Sequence, residues 1–101
     1  DTIDYILGDN PRNSSYLVGY GDNSPQQPHH RAASGVGWDG FRNGLPNKNI
    51  LYGALVGGPS QANDFAYADV RSDYIANEVA IDYNSGFTGA LAFAAQRSAG
   101  F

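Results

Sequence analysis

Cysteine is absent from the 101 residues, which excludes disulfides and thiol chemistry and leaves the compartment open. Basic residues are scarce: six Lys and Arg stand scattered against ten Asp and Glu, for a net charge of −4. A phosphate backbone would find no stripe to follow, so nucleic acid is not expected as a partner. Long apolar runs are missing too. Nothing approaches the roughly 18 consecutive apolar residues that read as a bilayer span, and no membrane partner is expected. Asp1-Thr2-Ile3-Asp4-Tyr5 has neither the basic start nor the apolar core of a signal peptide.

Turn chemistry and aromatic rings are plentiful instead. Thirteen Gly and five Pro, with many Asn, Ser and Asp, commit much of the chain to loops and leave few segments to share a core. A chain of this length buries only about two thirds of the surface that it exposes unfolded. At most one small domain is expected, with the character of a part of something larger.

Ile3, Ile6 and Leu7 have helical spacing and Gly8 follows, which reads as the tail of an amphipathic helix; a tail at residue 1 implies further chain before it. Asn10-Pro11 breaks that helix. Residues 15–21 are β-prone and are expected as a short strand, while Asn13-Ser14-Ser15 fits a glycosylation sequon but is expected as a polar turn. Residues 22–49, with Pro25, Pro28 and Pro46, read as a long structureless connection, which in compact proteins is usually functional or disordered. Residues 50–56 form a short apolar run ended by Gly57-Gly58-Pro59, and 59–66 again read as loop. One long helix is expected over residues 77–98, with Asn77 as N-cap and Val79, Tyr83, Phe87, Leu91 and Ala94 on one face. Gly86 and Gly89 in that helix suggest a neighbour packed closely against its backbone.

Chemistry concentrates in residues 67–87, which hold Asp69, Asp73, Glu78 and Asp82 with Tyr67, Tyr74 and Tyr83. Asp69 and Glu78 on one continuous helix would lie about 13 Å apart and face opposite ways. Paired glycosidase carboxylates sit roughly 5–9.5 Å apart, so the chain must bend between them for both to serve one bond. With Asn77 as the break, Glu78 falls in a first helical turn, where the dipole opposes a carboxyl that must hold its proton. Asp82 at i+4 would counter the dipole with like charge, although an ordinary first-turn acid is the commoner meaning of such a residue.

Pro28-His29-His30-Arg31 holds both histidines. In an extended loop His29 and Arg31 share a face and could bond neighbouring hydroxyls of one ligand, with His30 pointing away. Adjacent histidines rarely converge on one ion and no Cys can join them, so no metal is expected. Trp38 and the tyrosines could stack on sugar rings, although most aromatics pack.

Two long gapped motifs stand in order: Ser15-x-Leu17-Val18-x-x-Gly21-x-Asn23, then four residues to Pro28-His29-x-Arg31; and Tyr67-x-Asp69, four residues, Tyr74, three residues, Glu78-x-Ala80, three residues, Asn84-Ser85. With Tyr5-Ile6-Leu7-Gly8-Asp9-Asn10-Pro11 and Leu51-Tyr52-Gly53-Ala54-Leu55-Val56-Gly57-Gly58-Pro59, essentially all of the chain resembles the C-terminal part of a glycoside hydrolase family 9 catalytic domain. The resemblance implies a mainly α fold, the last portion of an (α/α)6 barrel spanning residues 1–101, and inverting hydrolysis of β-1,4-glucan such as cellulose. It implies that Glu78 is the general acid, that His29 and Arg31 line the cleft, that Tyr83 contacts the sugar, and that Asp69 belongs to the active-site motif. No cofactor is implied in this segment, and the setting implied is extracellular. The family's Asp-x-x-Asp base motif has no counterpart here, so the chain alone is expected to be inactive and to need the remainder of the domain as partner. The alternative from another class is a non-catalytic glucan-binding module in which Glu78 is structural.

Overall fold

The computed structural model describes residues 2–100. Helix α1, Thr2–Leu7, ends at Gly8, whose φ of 129° only glycine adopts readily, and Asp9 N–H closes back on Asp4 C=O at 2.9 Å. The side-chain amide of Asn10 then donates to Tyr5 C=O at 2.7 Å and Ser14 C=O at 2.8 Å. The turn after α1 is thereby tied to the helix it leaves.

No named strand forms among the described residues, contrary to the strand expected over 15–21. Val18 N–H meets Ala54 C=O at 2.8 Å, Gly53 N–H meets Val18 C=O at 2.9 Å, and Val56 N–H meets Tyr16 C=O at 3.1 Å, but the ladder reduces to isolated antiparallel bridges, Leu17 to Leu55 and Val56 to Val79. Gly19 and Gly53, at φ 75° and 82°, turn both segments away before pairing can extend. The short contact still gathers the core: Tyr16, Val18, Val56, Tyr67 and Ala76 are buried together, flanked by Ile6, Leu51, Ala54, Leu55 and Val79.

Residues 22–49 are not structureless. Helix α2, Arg31–Ser34, begins because the His30 side chain accepts Ala33 N–H at 3.0 Å, and it ends at Gly35 with φ 64°. Helix α3, Trp38–Arg42, follows. Proline and glycine density therefore masked two short helices, each too brief to show a hydrophobic period.

The helix expected over 77–98 begins later, at Ile81, and a separate short helix ends at Asn77. Helix α4, Tyr74–Asn77, is capped by the Asp73 carboxylate on Ala76 N–H, Glu78 and Ala80 are extended, and helix α5 runs over Ile81–Ser98. Asn77 is thus no N-cap. Fully buried, its side chain accepts the Tyr67 hydroxyl and donates to Ala68 C=O at 2.9 Å, Val70 C=O at 2.8 Å and Asp73 C=O at 3.3 Å. Those bonds fix residues 67–73 against α4, and the chain must unwind beyond residue 77 to leave the hub.

Helix α5 packs against α1 and buries only Phe87; Ile81 is 90% exposed and Phe93 61%. Side chains built at Gly86 or Gly89 would meet nothing within 4 Å, so the expected close neighbour is not among the described residues. No described helix is long and apolar enough to cross a membrane.

A second clasp joins α1 to the core. The Tyr5 and Tyr16 hydroxyls both donate to the Asp64 carboxylate, which opens the 3₁₀ turn Asp64–Ala66. The hydrogen bond from Tyr16, then that from Tyr5, holds Asp64 below the usual carboxylate range. Burial and the Asp64 bond push Tyr16 up to about 12, and burial drives Tyr67 upward as well. A depressed carboxylate contributes stability above its unfolded value of about 4, lost as pH falls through the folded value; a raised phenol contributes below about 10, lost as pH rises through its folded value. Wild-type stability should therefore fall faster than that of Asp64→Asn below about pH 4, and parallel unfolding midpoints across that range would contradict the clasp. Asn77→Ala, which leaves the Tyr67 hydroxyl without its acceptor and takes the side-chain donor from three carbonyls that keep only a backbone N–H, should cost roughly 2–4 kcal/mol in urea unfolding.

Candidate active site

The hub at Asn77 positions the two ends of the site. Its backbone C=O accepts His29 N–H at 2.8 Å, and the next residue along is Glu78. Glu78 is held by its own backbone, N–H to Tyr74 C=O at 2.9 Å and C=O from Gly57 N–H at 3.0 Å, while its side chain is exposed. No hydrogen bond or ion pair among the described residues occupies that carboxyl. Because Glu78 follows α4 in extended backbone at φ −62°, ψ 140°, it lies at no helix N-terminus. The expected conflict between dipole and proton donor does not arise, and Asp82 on α5 is not its helical i+4 neighbour.

His29 is held on several sides. Its Nδ1 lies 2.8 Å from Arg71 C=O, and since a carbonyl only accepts, Nδ1 carries a proton, which in the neutral tautomer leaves the lone pair at Nε2. Phe41 meets the imidazole edge to face at 5.2 Å, and Tyr74 stands 6.0 Å away. His30 uses its Nδ1 to cap α2, so it turns elsewhere for a reason other than strand alternation. Arg31 opens α2, with its guanidinium 4.9 Å over the Trp38 ring, and Trp38 stacks on Phe41 at 6.1 Å. His29 and Arg31 thus both lean on the aromatic face of α3.

Asp69 is occupied. Its two oxygens accept Gln26 N–H at 2.9 Å and Gln27 N–H at 2.8 Å, a fork that sets the turn leading into Pro28 and His29. With one backbone N–H on each carboxylate oxygen, Asp69 orients the loop that carries His29. Tyr83 stands in the first turn of α5, 37% exposed, separated from Glu78 by the extended residues and not by one helical turn. Asn84 of the same turn takes Leu55 N–H at 3.2 Å and gives to Gly53 C=O at 2.7 Å, docking the paired loop on α5. No described group of three or more His, Asp or Glu could hold a metal.

Sequence reasoning missed Phe41 and Arg71, and gave Asn77 the role of a cap where it is a buried hub. A signal existed for Arg71, the one Lys or Arg between Lys48 and Arg97, set in a stretch of carboxylates and rings. Phe41 and Asn77 carried none that local pattern could show.

The site thus combines an exposed acid at residue 78 with an imidazole held by backbone and aromatic rings at residue 29. The profile described as Glycosyl hydrolase family 9 matches residues 1–91, and the chain belongs to that family. Endoglucanase B of Cellulomonas fimi is 60% identical over 90 residues, covering 89% of this chain and 8% of that protein. A C. cellulolyticum cellulase solved with cellobiose superposes with TM-score 0.79 at 51% identity, over 89% of this chain and 20% of that one. A Clostridium thermocellum endoglucanase complexed with cellobiose and cellotriose gives TM-score 0.79 at 55% identity, over 88% of this chain and 14% of that one. The chain spans a minor share of each.

Asp69→Asn should free one of the two Gln amides, since an amide nitrogen cannot accept. Hydrogen exchange at Gln26 or Gln27 should quicken about tenfold, the equivalent of roughly 1.4 kcal/mol; unchanged protection at both would remove the fork.

Proposed function

We propose that these residues are the acid-bearing C-terminal segment of an inverting endo-β-1,4-glucanase, the last portion of an (α/α)6 barrel. The observation that carries the reading is Glu78: its side chain is exposed with its carboxyl free, on backbone that adjoins the fixed His29 through Asn77. Family membership, and relatives named as endoglucanases, support the substrate class.

Glu78, protonated, donates to the glycosidic oxygen as the bond to the anomeric carbon breaks. Water attacks that carbon from the opposite face and surrenders its proton to a carboxylate base, so configuration inverts. That base is supplied by the remainder of the catalytic domain, which these residues need as their partner, and the isolated chain does not turn over glucan. His29 and Arg31 bond hydroxyls of the sugar beside the cleaved bond, Tyr83 contacts its ring, and Asp69 acts by holding residues 26–27. No cofactor enters at these residues. An insoluble polymer of glucose cannot enter a cell, so the enzyme works outside it.

In the complete catalytic domain Glu78→Gln keeps shape and loses the donated proton. Its kcat on a soluble cellulose derivative should fall at least about a thousandfold, with glucan affinity within a few fold of wild type. Retained turnover would refute the assignment, and turnover by the isolated chain would refute the missing base.

A further inference from the structure

Arg71 is 5% exposed, and the acceptors of its guanidinium are all neutral. Nη1 donates to Leu45 C=O and to Asn47 Oδ1 at 2.6 Å; Nη2 donates to Gly40 C=O at 3.2 Å and Phe41 C=O at 2.8 Å. Burying a cation among carbonyls is costly, and Nε is buried with no hydrogen-bond partner among the described residues. An arginine here makes physical sense for what its planar fork spans. One nitrogen satisfies carbonyls at the C-terminal end of α3, the other holds the loop at 45–47, and the plane covers the Phe41 ring at 4.6 Å. Both things thus fixed bear on His29: the Phe41 ring, which meets its imidazole, and the backbone of residue 71, whose C=O takes the proton of Nδ1.

We propose that Arg71 is a positioning residue for the glucan-cleaving reaction: by cross-linking α3 to the 45–47 loop it holds Phe41 and its own carbonyl against His29, fixing the tautomer that turns the Nε2 lone pair to a sugar hydroxyl. The proposal rests on the glucanase reading above for its substrate, and on geometry alone for the tautomer. Lysine is the discriminating replacement. It keeps the charge, but a single ammonium cannot bridge the end of α3 and the loop in one plane.

The test is a double-mutant cycle in the complete catalytic domain, with kcat/KM measured on a soluble cello-oligosaccharide and the histidine ring nitrogens observed by 15N NMR. Arg71→Lys should lower kcat/KM about tenfold in the wild-type background and less than about twofold in His29→Ala, because the interaction it serves is already gone. The His29 signals should move from the Nδ1-protonated pattern toward a mixture of tautomers. Equal losses in both backgrounds, or an unchanged His29 tautomer, would overturn the proposal. Should Arg71→Lys fail to fold, Phe41→Leu removes the ring edge while keeping apolar bulk, and the same cycle and spectra decide. A wild-type domain that does not cleave glucan defeats the glucanase reading, while the tautomer measurement still tests the clamp.

Discussion

The buried amide of Asn77 makes hydrogen bonds that no regular element supplies, and the position of the site follows from them. Its oxygen and nitrogen join Tyr67, Ala68, Val70 and Asp73, so the whole turn before α4 closes around one side chain. An amide removed from water must have these partners. The backbone of residue 77 is consequently rigid, and it carries His29 on its carbonyl and Glu78 on the next peptide. A carboxyl that is exposed at its tip is anchored at its base.

The same device recurs wherever helices and sheets are lacking. Asp69 receives two backbone amides, Asn84 replaces a missing strand partner for residues 53 and 55, Asn10 closes the end of α1, and Arg71 gathers carbonyls from α3 and the loop after it. Glycine-rich chain would otherwise be loose, since every residue ordered costs about 1–2 kcal/mol of entropy. Polar side chains that each bind two or more backbone groups offset that cost locally. Precision at a loop-built site then depends on Asn, Asp and Arg side chains that bridge backbone groups more than on a large apolar core. Helix α5 is the contrast, regular throughout and mostly uncovered within this chain.

Part of this was legible beforehand. The end of α1 at Gly8 could be read because helix spacing followed by glycine is a local signal, and the long C-terminal helix because its apolar period repeats over several turns. The first residues of that helix were misread, since Asn77 fits a cap as well as it fits a buried hub and only its partners at 67–73 decide. The strand expected at 15–21 had β-prone residues, but pairing stopped where Gly19 and Gly53 turned. Helices α2 and α3 were hidden in a stretch of prolines and glycines, and with them the aromatic support of His29 and Arg31.

By itself the sequence determined the family, because gapped motifs are written in spacing along the chain, and it singled out His29, Arg31, Asp69, Glu78 and Tyr83 as candidates for the chemistry. Only the tertiary structure decided which carboxylate is tied to backbone. Asp69 and Glu78 are the same kind of group, but the fold carries two backbone amides from 42 and 43 residues away onto Asp69 and leaves the Glu78 side chain exposed. Whether an acceptor is available depends on the donors that folding brings to it, and those donors are set by contacts that spacing does not record.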